Sequence, residues 1–408
     1  CNKNVKNTGG EKMDFALELL KGIGRLFLHP LTYLFLLVSF FVGLSRVKRE
    51  RQNFHVRVFD FILEAKYLFF PGIIIGLILS VVTVLLGVYV SIGMIVLVAV
   101  LTFIISGPWT FKWLSPSYTV GLAVLATLVI PASGFGEGFI QTWSMQAHNA
   151  DLPSLTILMS LLVLAEGYLI WKFGAKGTSP AIVKSKRGQE IGAHYSQKLW
   201  VVPLFVLIPG SAITSVFPWW PVLSIDGTSF SLFFVPFAIG FYQRIQSMVP
   251  FKSIEFTGKR VLALGVGLTI ITIAAIFYPL AAVAVVILAI IGREWIRLQQ
   301  RRSDEKAPAL FTKRTQGLVV LGIIPHSPAE KMGLKVGEVI IKVNGIAVSE
   351  VNKFYEALQV NNRAFCKLEV IDENGEVRFT QRALYDNEHH ELGILFVHNY
   401  TKRDSQAG

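Results

Sequence analysis

The chain has 408 residues, 52% of them hydrophobic and only 16% charged, with a mean hydropathy of +0.53 and a formal net charge of +12. That balance makes it a membrane protein rather than a soluble one. Its charge collects in short loops and near the C-terminus, and basic patches interleaved with aromatics are absent outside membrane flanks, which excludes nucleic acid as a partner. Cys1 and Cys366 lie at opposite ends of the chain, so neither a disulfide framework nor a metal site is indicated.

The N-terminal segment, residues 1–25, has two readings. Cys1 is a lipidated residue left by signal-peptide removal, or Met13 is the true start and residues 1–12 lie upstream of it. The second is expected, because "MDFALELLKGIGRLF" opens a helical pattern at once.

A multi-span membrane domain follows over residues 26–296. Crossing a hydrocarbon core of about 30 Å takes about 20 apolar residues. The candidates are Leu26–Leu44, Leu68–Val90, Ile92–Ser106, Ser117–Ile130, Leu155–Ile170, Leu199–Phe217, Phe230–Phe241 and Val261–Ile291. Pro279 divides the last into a helical hairpin, since proline removes a backbone donor and clashes with the preceding turn. About eight spans are expected, all α-helical. Lysine and arginine mark cytoplasmic loops. Five lie between Arg46 and Arg57 and six between Lys172 and Lys198, with further basic residues from Arg244 to Arg260 and at Arg293, Arg297, Arg301 and Arg302. The stretches Gly134–Pro153 and Pro218–Ser229 have neither and are expected outside. The C-terminal domain is therefore expected in the cytoplasm, and the basic loops add attraction to anionic membrane lipid, at about 1 kcal/mol per favourable charge. His29, before Pro30, reads as a helix-entry residue. Glu166 is the acidic residue set deepest in an apolar run and reads as an interhelical hydrogen bond or a snorkelling side chain rather than a transport site.

Residues 297–316 read as a juxtamembrane linker, 317–400 as a small domain and 401–408 as a tail. In the small domain "GLVVLGIIP" is a strand. Ser327 and Pro328 open a short helix that closes near Gly333, and "KVGEVIIKVNG" is a strand ending in a tight turn at Asn344 and Gly345. Ser349 caps a second helix, in which Val351, Phe354, Tyr355 and Leu358 form an apolar stripe. "FCKLEVID" and "EVRFTQRAL" make a hairpin around Asn374 and Gly375. Carried by Ser327, Pro328, Ala329, Gly333, Leu334, Gly337, Glu338, Val343, Asn344 and Gly345, this pattern resembles bacterial PDZ domains. The resemblance implies a small α+β sandwich with a groove between a strand and the second helix, where a partner's extended segment adds as a strand. The Leu-Gly-Ile signature that normally precedes "GLVVLGIIP" is missing there, and "ELGILFV" carries it at the other end. Rearranged strand order would place Leu392, Gly393, Ile394 and Leu395 opposite Val351, Tyr355 and Leu358 as the walls of the groove. The plainer alternative is that "ELGILFV" is only the last core strand.

Chemistry is not evident. A membrane metalloprotease needs two histidines one helical turn apart, but four residues after His390 stands Ile394. Ser133 before Gly134 lacks a histidine on a later apolar run to take its proton, and "SIDG" at 224–227 reads as a loop turn. No cofactor is implied.

With "ELLKGIGRLFLHPLTYLFLLVSFFVGLSRVKRERQNFHVRVFD" near its start, many spans and one terminal PDZ-like domain, the chain resembles the MinJ family of division-site topology factors of Firmicutes. The resemblance implies a non-enzymatic scaffold at septum and poles that bridges the polar protein DivIVA to MinD and its partner MinC. Two other classes stand beside it, a transporter with a regulatory PDZ domain and an inactive or accessory intramembrane protease.

Overall fold

A computed structural model of the chain describes residues 20–107, 111–213, 230–359, 365–383 and 392–397. The readings placed on Cys1, Met13, His390, Glu391, the turn at 218–229 and the tail at 401–408 lie outside these residues.

Helix α1 (Pro30–Phe54) starts at His29, whose ring nitrogen accepts from the amide of Leu31 at 3.3 Å. It runs well beyond the apolar stretch and ends at His55, which takes the left-handed conformation. The basic segment after Leu44 is thus largely helix. Arg46 is buried and donates to Glu64 at 2.6 and 2.9 Å, to Glu50 at 3.1 Å and to the carbonyl of Asp60 at 2.7 Å. Glu50 also accepts from the amides of Val58 and Phe59. This cluster fixes the turn into α2 (Leu63–Leu86). Next come α3 (Ile92–Ile105), a 3₁₀ turn at Phe111–Trp113, α4 (Pro116–Thr127), α5 (Phe139–His148) and α6 (Leu152–Phe173). Ser91, Ser115 and Asp151 cap α3, α4 and α6 by accepting backbone amides, which satisfies donors that apolar surroundings would leave bare.

The largest departure from the sequence reading follows. Among the described residues of the expected spans Leu199–Phe217 and Phe230–Phe241, 199–213 and 230–241 are strand, not helix. Strands β1 (Ser179–Lys184), β2 (Glu190–Ile213) and β3 (Phe230–Ile245) make one antiparallel sheet in that order. Pro203 stands opposite Pro236 in the register. A strand edge in an apolar environment must have its backbone groups satisfied, and α2 seals that of β2. Gly72 and Gly76 lie so close to it that a Cβ would overlap the carbonyl oxygens of Val201 and Pro203. One and two turns further on, Ser80 accepts from the amide of Phe205 at 2.9 Å and Thr83 donates to its carbonyl at 2.7 Å. Leu207 then exchanges hydrogen bonds with Val88 and Val90 beyond the helix end. Four helical residues advance about 6 Å and two strand residues about 6.6 Å, so small residues at every fourth position of α2 meet alternate residues of β2.

Helices α7 (Pro250–Phe277) and α8 (Pro279–Lys306) break at Tyr278. Helix α7 runs antiparallel to α6 in near contact. Gly167 meets Leu262, Gly258 meets Trp171 and Gly265 meets Leu164, the close approach that small residues allow where lipid supplies no hydrophobic drive between helices. Glu166 of α6 is fully buried, accepting from Arg293 of α8 at 2.8 Å and from the hydroxyl of Ser115, the cap of α4, at 2.5 Å. It is an interhelical ion pair.

Among the described residues four helices, α1, α2, α6 and α7, are long and apolar enough to cross a membrane, and α3 is a shorter apolar helix. Eight helical crossings are not found among the described residues, where two of the expected spans are the strands β2 and β3. Helix α8 continues ten residues into the stretch 297–316, and the loop from Lys172 to Lys198 contains the β1–β2 hairpin.

Candidate functional site

The C-terminal module is built from β4 (Leu318–Val319), β5 (Gly322–Ile323), α9 (Pro328–Lys331), β6 (Val339–Val343), β7 (Ile346–Ala347), α10 (Val351–Gln359), β8 (Phe365–Ile371), β9 (Val377–Ala383) and β10 (Ile394–Leu395). Strands β4, β6, β8 and β9 form one sheet with β7 beside β6, while β10 pairs with β5. The hydroxyl of Ser327 accepts from the amide of Glu330 to cap α9. Gly333, Gly337 and Gly345 have φ of +71°, +95° and +87°, which explains glycine at these turns. Asn344 also has positive φ, and its side chain accepts from the amide of Lys367 at 2.9 Å, tying the turn to β8. Glu338 is buried and receives two hydrogen bonds from Arg378, at 2.9 and 2.7 Å, joining the start of β6 to β9. Ala329, Leu334 and Val343 enter the core with Cys366, whose thiol is pushed up to about 12 by burial.

The sequence-predicted groove residues divide between two faces. Leu392 and Ile394 pack with Val351 and Phe354 of α10, with Tyr355 and Leu358 half-buried beside them. Leu395 points the other way, with Val397, into a separate cluster containing Phe54, Val58, Phe311 and Leu321. Gly393 has φ of +75°, and a side chain there would run into Ser327. Tryptophan at this position would break the fold rather than block a groove alone. On its other side β10 has no strand partner among the described residues. An open strand edge therefore lies next to an amphipathic helix, the geometry that accepts an added strand.

Sequence reasoning missed the contact between this module and the membrane domain. Phe311 accepts from the amide of Gly192 in β2 at 2.8 Å. His194 of β2 is fully buried against the Phe311 ring, with one ring nitrogen 2.7 Å from the carbonyl of Leu321 and the other 3.3 Å from Thr178. Burial pushes this imidazole down to about 4, outweighing the bond to Leu321, which raises it. Phe54, Val58, Leu321, Val339, Leu395 and Val397 close over the same seam. The module is docked by the face opposite α10. A signal was present in the β-branched "SPAIVK" and "EIGAHY" around the Gly188 turn.

Comparison with known proteins accords with this architecture. A PDZ domain model matches residues 319–371. The cell division topological determinant MinJ of Bacillus subtilis (strain 168) is 41% identical over 391 residues, covering 94% of this chain and 96% of the relative. The probable cell division topological determinant MinJ of Lacticaseibacillus paracasei is 24% identical over 393 residues, covering 92% of this chain and 96% of the relative. With one relation above two-fifths identity along nearly the whole of both chains, this protein belongs to the MinJ family of cell division topological determinants.

Proposed function

We propose that the chain is a non-enzymatic, multi-pass scaffold of division-site selection, whose PDZ module faces the cytoplasm at septum and poles and captures an extended segment of a partner. DivIVA and MinD, the latter with MinC, are the partners this reading names. The observation that supports it most is the edge of β10, unpartnered among the described residues, beside the apolar side of α10. Ile394 offers backbone groups for pairing, while Tyr355 and Leu358 offer half-buried side chains for specificity.

Membrane confinement makes modest affinity sufficient. A module held at the bilayer meets partners held there at raised effective concentration, so a weak strand-addition contact still recruits. The basic ends of α1, α7 and α8 agree with a cytoplasmic seat for the module. The buried pairing of Glu166 with Arg293 gives that carboxylate a structural partner and weighs against a transport path through it.

The test is co-isolation of DivIVA and MinD with membranes containing full-length protein, using Tyr355→Ala and Leu358→Glu. Each variant is expected to lower capture about tenfold or more while membrane insertion and protein level stay unchanged, since interface hot spots carry 2 kcal/mol or more. Undiminished capture by both variants rejects the groove.

A further inference from the structure

At the level where the apolar part of α8 gives way to charge, a cavity of about 240 Å³ opens between α8, β3 and the 3₁₀ turn at Phe111–Trp113. Lys112, Arg244, Arg297 and Arg301 line it, with Asp304 and Glu305 as the acidic members. Both carboxylates already have partners. Asp304 accepts from the amides of Gln246 and Ser247 at 3.1 and 3.0 Å and from the Ser247 hydroxyl at 2.7 Å. Glu305 pairs with Arg301 at 2.8 Å and Lys186 at 3.4 Å. Arg297 pairs with Glu294. Lys112 and Arg244 remain, half-buried, with no carboxylate in ion-pair range among the described residues. Lys112 rests over the Trp113 ring at 5.4 Å, and Arg244 donates only to the neutral side chain of Gln246, at 3.2 Å. Gln243, 4% exposed, lines this cavity and an inner recess of about 20 Å³. Its amide nitrogen donates to Ser253, but its oxygen is buried without a partner.

We propose that this cavity binds the phosphate of an anionic phospholipid headgroup, with Lys112 and Arg244 as the cations that hold it. Two cations without an ion-pair partner in a partly dehydrated recess, more than Asp304 alone offsets, select an anion, and a guanidinium fork suits phosphate oxygens. The surroundings favour a lipid over a soluble phosphate. The 40% exposed Tyr242 lines the cavity as an interfacial aromatic does, and the apolar run of α8 that precedes Arg293 leads up to it. The Gln243 oxygen is placed to take a hydroxyl of the headgroup or a water, since the inner recess is large enough for one. The wall continues toward the PDZ module, because the carbonyl of Gln246 accepts from Leu310 at 2.8 Å.

The experiment is native mass spectrometry of the full-length protein released from nanodiscs of mixed phosphatidylglycerol and phosphatidylcholine. The double variant Lys112→Gln/Arg244→Gln is expected to lose about tenfold or more of the retained phosphatidylglycerol. The control Lys172→Gln/Lys259→Gln removes two cations elsewhere on the same membrane face and should retain it. Equal loss from both variants means diffuse surface attraction and overturns the site, as does no loss from either. Displacement of the lipid by excess inorganic phosphate assigns the cavity to a soluble anion and overturns the lipid reading. If the double variant is misfolded by thermal unfolding, Lys112→Gln alone carries the test, since its ammonium touches only the Trp113 ring, and a loss is again required.

Discussion

At the scale of single residues, the seam between module and membrane domain turns on His194. It is held neutral by burial against Phe311, and released into water it returns to its ordinary value of 6.5. The docked state then binds fewer protons than the undocked one only below that value. Docking should not change with pH above 6.5, and should weaken as pH falls from 6.5 toward about 4. Limited proteolysis of the segment around Thr312–Gly317, followed across that range, would show increasing cleavage in the native chain and a flattened pH response in His194→Asn. The Glu166–Arg293 pair makes a second residue-scale prediction. Glu166→Ala strands a buried guanidinium and should destabilise the fold by about 3 kcal/mol or more, whereas Glu166→Leu/Arg293→Met should recover most of that loss in reversible unfolding from mild detergent. The deep position of Glu166 was legible in the sequence, but its partner was not. Arg293 looks like one more basic flank, and only the packing of α8 against α6 turns it inward.

At the scale of elements, helix and strand compete for the same apolar composition. The stretches around Val201 and Phe234 read as spans because hydropathy registers length and apolarity, while a fully buried strand has no polar alternation to betray it. Pro203, Pro209 and Pro236 were the overlooked signal. Three prolines in two short runs would break helices, whereas at outward-facing strand positions a missing donor is harmless. The complementary signal was the row Gly72, Gly76, Ser80, Thr83 on α2, which has meaning only once a strand edge lies against it. Substituting Gly76→Leu should therefore separate α2 from β2 and cost several kcal/mol, seen as loss of folded protein on size-exclusion after heating. Ile78→Leu, at a 60% exposed position of the same helix, should leave the melting profile within about 0.5 kcal/mol of the parent. The PDZ elements were read more easily, because their turns demand glycine or asparagine at positive φ and Ser327-Pro328 marks the start of α9.

At the scale of the whole molecule, the sheet links membrane and module. Strand β2 runs from the membrane helices, where α2 seals its edge, to the seam at Gly192 and His194, so one strand touches both parts of the chain. Motif reading found both parts and missed the joint, since docking contacts are long-range and leave no local pattern. Phe311→Ala should loosen the joint by about 3 kcal/mol while each part stays folded, read as faster amide exchange at Gly192 and Leu310, whose amides bond across it, with unchanged exchange in β6 and β8. The docked face is opposite α10, which leaves the β10 edge clear of the seam. The most direct test is hydrogen–deuterium exchange on the full-length protein in nanodiscs, with and without purified MinD or DivIVA. Capture by strand addition predicts slowed exchange at Ile394 and Phe396 and along Val351–Gln359, with the seam at His194 unchanged. Binding that protects other surfaces and leaves the β10 edge exchanging at its free rate would contradict the account.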